Sequence, residues 1–131
     1  MKQLLSSRHT TWVAAVVTVS ALSGAAVLAL RPDTFEITGT MRTPTCGSST
    51  GYDDIVTGAP VTVYNAKNEV IALGELAGDP RTNGTDRCEW TFTVADVPEG
   101  ERFYSVEVSH RGKVTFSADE LQSGPLSLGL G

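Results

Sequence analysis

The stretch Cys88-Glu89-Trp90-Thr91-Phe92-Thr93-Val94 decides the fold class. Cys88, Trp90, Phe92 and Val94 occupy alternate positions, and Glu89, Thr91 and Thr93 occupy the others. Successive side chains of a strand point to opposite faces, so this period of two makes one apolar face and one polar face. A helix would scatter the same four side chains around its axis. The β-branched and aromatic residues of the stretch favour the pleated conformation further. The apolar face must be buried, and Trp90 is expected in the core beside Cys88.

The same alternation continues on both sides. Phe35, Ile37 and Gly39 alternate with Glu36, Thr38 and Thr40, and Val61 and Val63 with Thr62 and Tyr64. Asn65-Ala66-Lys67-Asn68 is turn chemistry leading into Glu69 to Leu76, which predicts a hairpin. Val97-Pro98-Glu99-Gly100 turns the chain into Phe103 to Val108, where Tyr104, Val106 and Val108 share a face. Ser109-His110-Arg111-Gly112 connects to Val114 and Phe116. Ser117 and Glu120 have the spacing of a capping box and predict a single helical turn ending near Gly124. Leu126, Leu128 and Leu130 alternate after Pro125, and this short edge strand is open to pairing with another chain. About seven short strands separated by turn residues predict an all-β domain, an antiparallel two-sheet sandwich, with an open barrel as the alternative. Two polar, glycine-containing stretches, 45–57 and 77–87, are expected to be surface loops.

Ahead of the first strand, Thr11 to Leu30 reads TWVAAVVTVSALSGAAVLAL, twenty residues without a charge. Roughly twenty helical residues span the hydrocarbon layer of a bilayer. Lys2 and Arg8 precede the run and Arg31 follows it, which places the N-terminus in the cytoplasm and the rest of the chain outside. Residues 1–10 are thus expected to be cytoplasmic, 11–30 a transmembrane helix, 31–34 a linker and 35–131 an extracytoplasmic domain. Ser23-Gly24-Ala25-Ala26 offers the alternative of a cleaved secretory signal and a secreted protein. The anchor is favoured because the apolar run continues past those small residues to Leu30.

The chain has 131 residues, of which 40% are hydrophobic and 19% charged, enough for one modest domain plus the N-terminal segment. Three of its ten basic residues precede Asp33, so residues 33–131 carry seven basic and fifteen acidic side chains, a net charge of −8. Such a surface repels nucleic acid and anionic lipid. Cys46 and Cys88 are the only cysteines, and outside the cytoplasm an even count reads as one disulfide. Two thiols without CxxC spacing, with His9 and His110 as the only histidines, do not make a four-ligand zinc set.

The segment from Thr57 to Tyr64, TGAPVTVY, and the later VPEG of Val97 to Gly100 before Tyr104-Ser105-Val106-Glu107-Val108 resemble the transthyretin-like, or carboxypeptidase-regulatory-like, sandwich pattern. The resemblance covers roughly residues 35–117 and implies the sandwich fold. The chain departs from that pattern in the loop inserted around Cys46 and in lacking an Asp-x-x-Gly-x-Phe turn before the third strand. FYSVEVSHRGKVTFSADEL, from Phe103 to Leu121, together with CGSSTGYDDI, from Cys46 to Ile55, resembles small membrane-anchored or exported proteins of high-GC Gram-positive bacteria. That resemblance implies a location and no chemistry.

A catalytic reading would combine His110 with Asp53 or Asp54 and Ser109, and one exported histidine supplies little for it. Calcium is a second use for the acids of Gly51 to Asp54 and Asp79 to Asp86, although neither stretch has the spacing of a known calcium loop. A binding surface fits better. Tyr52, Asp53 and Asp54 in one polar loop and His110 and Arg111 at a strand tip are residue types that carry interfaces. The expected function is therefore a membrane-anchored, noncatalytic interaction module, without cofactor, whose partners are the bilayer through the N-terminal helix and an envelope protein. The alternative is a secreted β-sandwich that binds a small ligand or calcium.

Overall fold

The computed structural model describes residues 33–46, 51–80 and 87–131, which belong to a compact unit running from Asp33 to Gly131. The expected membrane segment, 11–30, lies outside the described residues. Among the described residues no helix is long and apolar enough to cross a membrane.

Seven strands and one short helix follow in order: β1 (Thr34–Thr43), β2 (Pro60–Tyr64), β3 (Val70–Ala77), β4 (Cys88–Pro98), β5 (Phe103–Val108), β6 (Lys113–Ser117), α1 (Ala118–Gln122) and β7 (Leu126–Gly129). The all-β reading holds, and each segment expected to alternate forms a strand. The deciding stretch lies in β4, with Cys88, Trp90, Phe92 and Val94 all buried. This strand runs on to Pro98 through a bulge: Phe35 pairs with Val97 and Ile37 with Val94, so two residues of β4 face Glu36 alone. Asp96 takes the extra left-handed conformation, at φ 57°, and returns Val97 to the core face.

The sheet differs from the expected pair of antiparallel sheets. All seven strands share one hydrogen-bonded ladder, in the order β6-β5-β2-β3-β4-β1-β7, and β7 runs parallel to β1 while the other pairs are antiparallel. The chain path explains the parallel pair. After β6, at one edge, α1 carries the chain to β1, and β7 is laid down at the far edge in the direction of β1. Alternation of Leu126, Leu128 and Leu130 reports a face and carries no direction.

The ladder curls because β3 and β4 pair only across Glu75–Ala77 and Thr91–Thr93. Beyond those residues β3 pairs with β2 alone and the rest of β4 with β1. Gly74 sits at the divergence, where a Cβ would lie 2.6 Å from the Thr93 carbonyl oxygen, so glycine permits the close crossing. The halves then meet face to face. Phe35 of β1 and Tyr104 of β5, with three strands between them in the ladder, stack edge to face with ring centroids 5.4 Å apart. Ile37 and Met41 of β1, Val61 and Val63 of β2, Leu76 of β3, Val106 and Val108 of β5, Leu121 of α1 and Leu126 of β7 share this core.

Local chemistry closes the turns. Asn65 Oδ1 accepts hydrogen bonds from the backbone of Lys67 and Glu69, and Asn68 adopts φ 67°, which fixes the β2–β3 hairpin. Tyr104 donates its hydroxyl to the Pro98 carbonyl at 2.8 Å and holds the passage from β4 to β5, as in the tyrosine corner of Greek-key sandwiches. Burial of its ring raises the Tyr104 pKa. Ser117 and Glu120 make the expected capping box.

Candidate functional site

The chain leaves β1 at Thr43, opposite Cys88 in the register, and the Cys46–Cys88 disulfide ties the exit to the start of β4 with a Cα–Cα distance of 5.5 Å. This is the bond expected from the cysteine count, at the spacing of an ordinary disulfide. The chain then returns through residues 51–59. Ile55 is buried in the core, Gly58 donates to Leu76 and Leu76 to Ala59, and the Thr57 hydroxyl donates to the Gly78 carbonyl. The loop carrying Tyr52, Asp53 and Asp54 is therefore seated on β3 as well as on the disulfide.

On the β5–β6 turn, Ser109 has φ 53° and Gly112 φ 92°, backbone values that reverse the chain within a few residues. Ser109 donates its backbone N–H to the Pro60 carbonyl and is buried, while His110 and Arg111 are exposed. Arg111 reaches the other loop. Its Nε donates to Asp54 Oδ2 at 3.0 Å, its Nη2 pairs with Asp54 Oδ1, and the same Nη2 donates to the Gly51 carbonyl at 2.6 Å. The guanidinium lies over the Tyr52 ring, 5.5 Å from its centroid. The structure thus joins Tyr52, Asp54 and Arg111, which are far apart in sequence, into one constellation.

Electrostatics follow from that contact. The Arg111 hydrogen bond, helped by one from the Ser109 side chain and opposed by desolvation, lowers the Asp54 pKa to about 2. Hydrogen bonding to Asp54 raises the Arg111 pKa in turn. A carboxylate with both oxygens on a guanidinium and so low a pKa is a weak proton acceptor at neutral pH. Asp53 and His110 are exposed beside the pair. Among the described residues no three His, Cys, Asp or Glu side chains are gathered as a metal site.

Beside the constellation is a hollow of about 200 Å³ whose lining includes Tyr52, Asp53, Ile55, Val56, Pro80 and Trp90, with the disulfide in its wall. Trp90 is otherwise core, as expected from its place on the alternating face. Its Nε1 is buried, and no acceptor among the described residues reaches it. Sequence reasoning marked Tyr52 and Asp53 but missed the hollow. Its only advance sign was a tryptophan two residues from a cysteine whose partner opens the Tyr52 loop.

On the outer face of the sheet a second polar cluster joins β2, β5 and the β6 turn. The Tyr64 hydroxyl donates to Glu107 at 3.0 Å, Glu107 accepts from the Gly112 N–H, and Lys113 lies 3.8 Å from the Tyr64 ring centroid while bonding Asn68. Bonding to Glu107 raises the Tyr64 pKa. These contacts lock the turn that presents Arg111. Comparison with known proteins gives no match: no family model, no curated protein and no solved structure is significantly similar to this chain.

Proposed function

We propose that residues 35–131 form a noncatalytic interaction module, held on the outer face of the cytoplasmic membrane by a helix over 11–30, that recognises an envelope protein. The observation that carries this reading is the Tyr52–Asp54–Arg111 constellation. Two loops remote in sequence converge, and their charged pair is satisfied internally, which leaves Asp53 and His110 exposed around a fixed aromatic ring. Rigid presentation of this kind lowers the ordering cost of binding. The twenty-residue apolar run with its basic flanks supports the anchor, and the disulfide suits an oxidising compartment. In this reading the curled sheet serves as a sandwich-like scaffold, in keeping with the transthyretin-like strand pattern. The acidic surface favours a protein partner over nucleic acid.

The test is crosslinking in cells with tagged full-length protein, followed by mass spectrometry of what is recovered from membranes. One reproducible partner, lost in Tyr52→Ala, Asp53→Ala and His110→Ala variants that melt like the wild type, is the expected result. A shortened chain found free in the medium, with no partner, would replace this reading by that of a secreted ligand-binding protein.

A further inference from the structure

The hollow beside Tyr52 has the size of one side chain, and its chemistry selects which one. We propose that it receives a lysine or arginine side chain presented by the partner, an inference that rests on the interaction reading above. Ile55, Val56, Pro80 and Trp90 supply apolar wall for an aliphatic stem, and Asp53 is the one charged residue of the lining among the described residues. Long cationic side chains bury their stems against apolar surface and keep the charged head at a polar rim. The loop already holds one cation between a ring and an acid, since Arg111 lies over the Tyr52 ring and on the neighbouring carboxylate of Asp54. Tyr52 and Asp53 both line the hollow, so it too offers an acid and a ring. Charge complementarity acts over longer range as well. Residues 33–131 carry a net charge of −8, which draws a basic partner and repels an acidic one. Val56 is 49% exposed at the hollow, so a larger side chain there narrows the space without disturbing the core.

The experiment titrates full-length, ¹⁵N-labelled protein with three capped single residues: N-acetyl-lysine methylamide, its norleucine counterpart and its glutamate counterpart. The indole N–H of Trp90 is the reporter, and Trp12→Phe identifies its signal. The lysine probe is expected to shift that signal saturably in the millimolar range, norleucine several-fold more weakly and glutamate not at all. Asp53→Asn should bring lysine down to the norleucine level, and Val56→Phe should abolish both shifts. No shift with any probe overturns the proposal. So does equal binding of lysine and norleucine, or a lysine shift that survives both substitutions. A captured partner that binds Val56→Phe as well as wild type would overturn the hollow and leave the interaction reading standing. Saturable lysine binding without any captured partner would do the reverse.

Discussion

β4 and the 51–59 loop border the same hollow and are held by opposite means. β4 is held by burial: Trp90, Phe92, Val94 and Val97 lie in the core, and its neighbours on both sides are strands. The loop is seated in the core by Ile55 and the small Ala59, and otherwise by polar clamps to Leu76, Gly78 and Arg111. Apolar burial acts through area and is insensitive to which partner covers it, whereas each polar clamp needs its own geometry. Stability and the proposed recognition therefore fall to separable residues, and substitutions should tell them apart.

Phe92→Ala should have the largest effect, about 3–5 kcal/mol of lost stability by the usual cost of emptying an aromatic core site. Denaturant unfolding measures it, and a loss under 1 kcal/mol would mean the alternating face of β4 is a minor support. Replacing Cys46 and Cys88 together by alanine should lose about 2–4 kcal/mol, since the bond closes 42 residues of sequence. That experiment sharpens the comparison, because the disulfide joins the start of β4 to Cys46, ahead of the loop in the chain. Gly39→Ala comes next. Its Cβ would lie 2.5 Å from Phe92 Cζ and 2.8 Å from the Leu126 carbonyl oxygen, so β1 and β7 must move, and overpacking of this kind costs about 1–3 kcal/mol. Tyr104→Phe should cost about 1 kcal/mol by removing the hydroxyl bonded to Pro98.

The smallest effect belongs to the Arg111–Asp54 pair, whose side chains are about a third exposed and screened by water. Because the folded Asp54 pKa is lowered to about 2 from an ordinary 3.8, the pair contributes fully above pH 4 and its contribution fades as pH falls through 2. Asp54→Asn should lower the melting midpoint by at most a few degrees at pH 6, and the gap from wild type should close towards pH 2. A gap that widens on acidification would break the assignment.

Much of this was legible beforehand for one reason. Period-two alternation is a local property, so Cys88 to Val94, Tyr104 to Val108 and Leu126 to Leu130 announced both strand and face. Ser117 with Glu120, and Asn65 to Asn68, are equally local, since their hydrogen bonds close within a few residues. β3 was less clear. Val70 and Leu73 are exposed although apolar, because β4 leaves β3 beyond Gly74 and covers neither. The register shift at Asp96 was hidden because a bulge breaks the alternation on which the reading depended.

The amino-acid sequence by itself determined seven strands, the buried faces of β4 and β5, the capped turn of α1 and the candidate disulfide, since each follows from spacing along the chain. Only the tertiary structure decided that the strands form one curled mixed sheet, that β7 lies parallel to β1, that Arg111 is spent on Asp54 and that a hollow opens beside Tyr52. These depend on which remote segments meet, and alternation marks the face a residue presents without naming the neighbour it meets there.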